Sequence, residues 1–268
     1  MALLEVENLS VSYGGVRAVD KLSLEVAQRT LVGLIGANGA GKTTALDGLT
    51  GFVRASGSAR MEGTELLGMP AYRRARLGVT RTWQSVELFD DITVRENLQV
   101  ASSSPSFAQL LVGVVRGGAA QSPYARRILA DLALGDVLEM KPTQLSQGQR
   151  KLIGLARALV ARPRLLLADE PAAGLDTHES RQLGVELRRL VDEGLSILLV
   201  DHDMQLVLTI CDYIYVLDHG VKIAEGTPLE IRQNDAVIAA YLGKSEGKSD
   251  AAAAANGAMS GPGVKTDP

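Results

Sequence analysis

Gly36-Ala37-Asn38-Gly39-Ala40-Gly41-Lys42-Thr43, with Thr44 behind it, follows the apolar run Thr30 to Ile35 and opens a helical pattern at Lys42. A buried strand, a glycine turn and a helix in that order is how a phosphate site begins in an α/β domain. The stretch fits G-x-x-x-x-G-K-[ST] and sits in the context that motif requires. Its glycines let successive backbone N–H groups converge on phosphate oxygens, and the start of the helix adds partial positive charge. Lys42 is then placed to neutralise the outer phosphates of a nucleotide, and the Thr43 hydroxyl to ligate Mg²⁺.

Downstream, Leu165-Leu166-Leu167-Ala168 ends in Asp169-Glu170. An apolar strand delivers such acids to the crevice where open α/β sheets bind ligands. Asp169 is expected to hold Mg²⁺, directly or through water, and Glu170 to orient and deprotonate an attacking water. Between the two lies Leu145-Ser146-Gln147-Gly148-Gln149, at the opening of a helix. Ser146 with Gln149 three residues on is also a capping box. A capped helix N-terminus is itself an anion site, so the two readings are compatible.

The periodicity around these motifs supports a largely parallel sheet covered on both faces. Strands are expected at Leu3 to Glu7, Leu22 to Val26, Thr30 to Ile35, Leu165 to Ala168, Ser196 to Val200, Tyr213 to Leu217 and Val221 to Ala224. The first two approximate a period of two, with a Gly14-Gly15 turn between them. Helices are expected at Val94 to Ala101, Tyr124 to Leu134, Gln147 to Ala161 and Thr177 to Asp192. The region from about 91 to 160 reads as a mainly helical inserted subdomain. Residues 244–268, with five consecutive alanines, lack apolar periodicity and are expected to be a disordered tail, dispensable for folding.

Composition narrows the function classes. With 46% apolar and 22% charged residues, the 268-residue chain can bury a large core. A net charge of -3 argues against a nucleic-acid binder, which normally shows a basic excess. The clusters Arg73, Arg74 and Arg76, and Arg188 with Arg189, read as solvated helix faces. One cysteine, Cys211 among apolar neighbours, excludes an intrachain disulfide and suggests a packing role in a reducing compartment. The amino terminus lacks a signal-peptide pattern, and no stretch has the length of a membrane helix. Any membrane role is expected to come through a partner.

Taken together, Leu3 to Gly243 resembles the ABC ATPase family. The resemblance implies a P-loop ABC ATPase core (residues 1–243) with an N-terminal antiparallel β-subdomain, the inserted helical subdomain, and ATP with Mg²⁺ as ligands. It implies that Gly36, Ala37, Asn38, Gly39, Ala40, Gly41, Lys42, Thr43 and Thr44 cradle the phosphates while Tyr13 stacks on adenine. Gln84, in Arg81-Thr82-Trp83-Gln84, matches the glutamine that meets Mg²⁺ and the attacking water; His202 matches a switch histidine reaching the γ-phosphate. Ser146, Gln147, Gly148 and Gln149 match the LSGGQ-like segment, with Gln147 in place of its first glycine. They would contact ATP held by an opposing subunit, in a homo- or heterodimer. Ala173-Gly174-Leu175-Asp176 looks like the loop that signals between subunits.

The chain has no sustained heptads for a chromosome-organising ATPase and only one cassette, unlike translation-associated relatives. Leu88 to Leu98 resembles the segment that meets a membrane permease. Asp169 to Leu175, Asp201 to Met204 and Tyr241-Leu242-Gly243 look like branched-chain amino acid importer ATPases. Urea and amide importers, the lipopolysaccharide-export ATPase and a soluble cluster-assembly ATPase are the alternatives. The implied partners are permease subunits and, indirectly, a solute-binding protein, with the chain on the cytoplasmic face of the membrane.

Overall fold

The computed structural model describes residues 2–83, 88–102 and 123–241. The strands β1 (Ala2–Tyr13) and β2 (Val16–Ala27) pair antiparallel across the Gly14-Gly15 turn, where Gly14 takes φ 57°. β4 (Ala55–Met61) pairs antiparallel with β1, and β5 (Thr64–Glu65) with β4, giving a four-stranded sheet in the order β2-β1-β4-β5.

The second sheet has six strands in the order β10-β9-β3-β8-β7-β6. They are β3 (Leu31–Gly36), β6 (Val79–Arg81), β7 (Leu165–Asp169), β8 (Ser196–Val200), β9 (Tyr213–Asp218) and β10 (Val221–Gly226). β3, β6, β7, β8 and β9 run parallel, and β10 closes the edge antiparallel to β9. A strand covered on both faces reads as a continuous apolar run, because alternate side chains enter two different cores. Leu165 and Leu167 join the cluster between the two sheets, with Val32, Leu34, Leu198 and Val200. Leu166 and Ala168 point the other way, with Ile35, Ile197 and Leu199, toward the helices.

The helices are α1 (Lys42–Thr50), α2 (Ala71–Arg76), α3 (Val94–Ser102), α4 (Pro123–Asp131), α5 (Gln147–Val160), α6 (Thr177–Asp192), α7 (Met204–Ile210), α8 (Pro228–Arg232) and α9 (Asp235–Tyr241). Between β6 and β7 the described elements are all helical: α3, α4, two 3-10 turns and α5. Cys211 is buried, as expected, and burial pushes its thiol well above the usual range. The expected tail, 244–268, lies outside the described residues.

Two expectations need correction. Arg74 does not belong to a solvated face: it is 5% exposed and donates to the carbonyls of Met69, Gly48 and Leu49. The last carbonyls of α1 have no intrahelical partner, and a buried guanidinium with its planar fork satisfies two of them. Arg188 and Arg189 are half-buried and paired, Arg188 with Asp212 and Arg189 with Asp131 of α4. Clusters of like charge in sequence are separated here by the helical period, which sends neighbours to different faces.

Candidate functional site

The site lies at the carboxyl ends of β3, β7 and β8. Gly36 ends β3, and the chain turns through Gly39 (φ 82°) and Gly41 (φ 98°) before α1 begins. A Cβ on Gly41 would lie 2.4 Å from the Ala18 carbonyl oxygen, so this turn tolerates only glycine. The loop is stitched to its neighbours by Gly220 N–H to Ala40 O (2.9 Å) and Asp20 N–H to Gly220 O (2.8 Å). Lys42 is buried, and its Nζ donates back to the carbonyls of Gly36 (2.8 Å) and Ala37 (3.0 Å). Burial pulls the Lys42 ammonium below its ordinary range, while Glu170, Asp169 and Asp201 hold it up.

Asp169 ends β7 and is 1% exposed. Its two oxygens have separate partners: Thr43 Oγ1 lies 3.3 Å from Oδ1, and Arg81 Nη2 donates to Oδ2 at 2.7 Å. Burial pushes this carboxyl up, and the Arg81 hydrogen bond opposes the shift. Thr43 and Asp169 offer hard oxygen donors, which suit Mg²⁺. Among the described residues no group of three His, Cys, Asp or Glu side chains could cage a metal. A divalent cation here would draw its remaining ligands from phosphate oxygens and water, as Mg²⁺ commonly does.

Glu170 follows in the left-handed region at φ 46°, a conformation costing a non-glycine residue on the order of 1–2 kcal/mol. The backbone around it holds that geometry. Its N–H donates to Val200 O (2.7 Å), and its carbonyl accepts from Ala173 N–H (3.2 Å) and Lys151 Nζ (3.1 Å). Burial lowers the Lys151 ammonium, with Glu170 opposing. The turn re-aims the carboxylate, leaving Oε1 3.8 Å from His202 Nδ1. His202 also lies 3.7 Å from Asp201 Oδ1 and keeps 55% of its side chain exposed. Asp201, buried after β8, accepts the backbone N–H groups of His202, Asp203 and Ala172, so it shapes the loop that carries His202. Burial raises its carboxyl, against the Asp203 hydrogen bond.

Ser146 caps α5 as the capping box requires: Gln149 N–H donates to Ser146 Oγ (3.2 Å), and Ser146 N–H donates to Gln149 Oε1 (3.0 Å). A Cβ on Gly148 would meet Leu175 at 3.0 Å, and the Gln147 side chain lies beside Gly174. Ser146 to Gln149 thus pack on the Ala173 to Asp176 loop. Among the described residues no hydrogen bond or ion pair joins them to residues 36–44. Tyr13, at the end of β1, is half exposed. Gln84 lies outside the described residues.

Sequence reasoning missed Arg81, Lys151 and Asp201. Asp201 carried a usable signal, because it follows the apolar run of β8 as Asp169 follows that of β7. Arg81 and Lys151 carried none, since only the parallel pairing of β6 with β7 and the rotation of α5 bring them to the acids.

Comparison with known proteins agrees on one family. The profile of the ABC transporter family matches residues 19–173, and that of the branched-chain amino acid ATP-binding cassette transporters matches 221–247. The chain is 39% identical over 251 residues to the high-affinity branched-chain amino acid transport ATP-binding protein BraF of Pseudomonas aeruginosa. It is 41% identical over 251 residues to the LivG protein of the same description from Salmonella typhimurium. In both cases the match covers 91% of this chain and 98% of the relative. Among solved structures, the ADP conformation of MJ1267, an ATP-binding cassette of an ABC transporter, superposes with TM-score 0.78 at 28% identity, covering 91% of this chain and 99% of that one.

Proposed function

This chain belongs to the ABC transporter family as an ATP-binding, ATP-hydrolysing subunit, and from that premise we propose that it powers a membrane permease importing branched-chain or other hydrophobic amino acids. The observation that carries the ATPase reading is the meeting of Lys42, Asp169, Glu170 and His202 at one crevice. The match of residues 221–247 to branched-chain amino acid cassettes supports the cargo.

Phosphates entering the loop replace the Gly36 and Ala37 carbonyls as partners of Lys42. Glu170 takes the proton of the attacking water, with its carboxylate aimed by the left-handed turn. His202, held by Asp201, meets the γ-phosphate and releases when it leaves. Thr43, Asp169 and Gln84 would hold Mg²⁺, which would supply positive charge against the transferred phosphoryl group. Ser146 and Gln147 are exposed and the segment is already capped, which suits contact with ATP bound by a second subunit. ATP then links two chains head to tail, and its loss lets them part.

No helix among the described residues is long and apolar enough to cross a membrane. In this reading the chain acts at the inner face of the membrane through its permease partner, as the likeness to transporter ATP-binding subunits supports. The surface offered to a permease lies around α3. Asn97 is fully buried and clamps the preceding loop, accepting Phe89 N–H (2.9 Å) and donating to the carbonyls of Phe89 (3.1 Å) and Thr93 (3.0 Å). The clamp leaves Phe89 half exposed on a fixed backbone. A neighbouring groove of about 430 Å³ is lined by Phe52, Tyr72, Trp83, Ala101 and Arg157.

Uptake of labelled leucine in a clean deletion of the gene tests the reading, and uptake should fall and return on complementation. Phe89→Glu should leave basal ATPase intact while the permease no longer co-purifies in mild detergent. Unchanged uptake in the deletion strain would remove the importer assignment. If no membrane subunit accompanies the wild-type protein, a soluble cluster-assembly ATPase becomes the better account.

A further inference from the structure

Arg81 is 3% exposed at its side chain, and the site chemistry above leaves it without a role. Its guanidinium spans two carboxylates: Nη1 reaches Asp47 Oδ1 on α1 at 2.5 Å, and Nη2 reaches Asp169 Oδ2 at 2.7 Å. The Trp83 ring lies 4.3 Å from the guanidinium carbon, and Phe52 meets Trp83 edge-on at 4.4 Å, closing the far side. Among the described residues its Nε has no hydrogen-bond partner.

As a stabilising device this is poor. A buried ion triad gains little over well-packed apolar side chains, and an unpaired buried donor adds cost. As a positioning device it is well made. Only a planar fork can hold two carboxylates at fixed angles. Occupying Oδ2 of Asp169 leaves Oδ1 turned to Thr43, the other proposed metal donor. The Asp47 arm anchors the same fork to α1, the helix that begins with Lys42 and Thr43. One side chain thus sets the distance between the helix bearing Thr43 and the strand bearing Asp169.

We propose that Arg81 is a positioning residue that holds Asp169 and α1 in register, so that Thr43 and Asp169 Oδ1 together present a preformed face to a divalent cation. This rests on Asp169 being the residue that meets the cation. Groups that orient metal-binding carboxylates typically change metal affinity by about 10- to 100-fold when removed. Nucleotide binding without metal depends on the loop and Lys42, which Arg81 does not touch.

The test uses the purified full chain with ADP, so no turnover is needed, and Mn²⁺ as the divalent probe. ADP affinity in excess chelator is read by isothermal titration calorimetry. Mn²⁺ affinity in the ADP complex is read from the free-ion paramagnetic resonance signal. Arg81→Met should keep metal-free ADP affinity and lose roughly tenfold or more in Mn²⁺ affinity. Arg81→Lys, whose single ammonium cannot span Asp47 and Asp169, should fall between wild type and Arg81→Met, and it decides the matter if Arg81→Met does not fold. Wild-type Mn²⁺ affinity in the folded variant overturns the proposal, as does an equal loss of metal-free ADP affinity. Asp169→Asn separates the two readings. If it leaves Mn²⁺ affinity unchanged, the role of Asp169 itself is wrong; if it weakens Mn²⁺ while Arg81→Met does not, only the role of Arg81 is.

Discussion

Around the phosphate loop, Lys42, Asp169, Glu170 and Asp201 are each less than a tenth exposed, whereas Ser146 and Gln147 stand in solvent. The buried group is costly to assemble, since each charge must be neutralised within the chain. Lys42 sits against three acids, Asp169 is matched by Arg81, and Asp201 by three backbone N–H groups. The exposed segment satisfies its own polar groups with one capping box and rests on the Ala173 to Asp176 loop, without any buried charge to neutralise. Folding and chemistry are therefore entangled on the first side and separable on the second. The proposed two-chain arrangement needs that division, because the surface offered to a partner must be stable before the partner arrives.

The sharpest way to break this comparison is Glu170→Gln, which keeps shape and hydrogen-bonding capacity but removes the proposed base. Steady-state ATPase should fall by roughly 10²- to 10⁴-fold with ATP binding retained. Near-normal turnover would take Glu170 out of the role. Gly148→Asp probes the exposed side. It adds a carboxylate where a phosphate is expected and crowds Leu175, so turnover should drop by roughly 10²-fold or more. ADP binding should stay at the wild-type level, and a loss of it would show that the two sides are coupled within one chain.

Arg74→Ala asks how much the buried frame behind the loop matters. Three carbonyls lose a charged donor, two of them at the end of α1, and stability should fall by roughly 2–3 kcal/mol in urea unfolding. A change close to zero would mean that water replaces the guanidinium.

The smallest effect contrasts two aspartates that accept backbone N–H groups. Asp201 is buried and its carboxyl is raised above the ordinary 3.8 by desolvation. Asp176, the exposed cap of α6, is lowered below 3.8 by the N–H groups of Glu179 and His178. The folded state thus binds the Asp201 proton more tightly than the unfolded chain, so this contribution to stability grows as pH falls toward 3.8. For Asp176 the contribution is present above 3.8 and is lost as pH falls through the depressed value. Relative to Asp201→Asn, the wild type should gain stability on acidification; relative to Asp176→Asn, it should lose it. Urea unfolding across the acid range checks both, and equal slopes would show that burial does not govern the difference.

The loop at residues 36–44, the acid pair 169–170 and the capped segment 146–149 were legible in the sequence, because each is a local pattern whose chemistry depends on neighbours a few residues away. The α/β alternation was legible for the same reason, apolar runs marking strands that are covered on both faces. β4, β5 and β6 were not, since Ala55–Met61 carries Gly57 among short or polar residues (Ala55, Ser56, Ser58, Ala59, Arg60), Thr64–Glu65 spans two residues and Val79–Arg81 three. Arg81, Lys151 and the buried Arg74 were invisible, because nothing local distinguishes an arginine that pairs with solvent from one that pairs across 88 residues with Asp169. The sequence by itself marked the groups proposed to bind phosphate and move a proton. Only the tertiary structure decided which of them lie in one low-dielectric crevice. That choice follows from strand order and helix rotation, which are set by the packing of the whole chain, not by any single stretch of it.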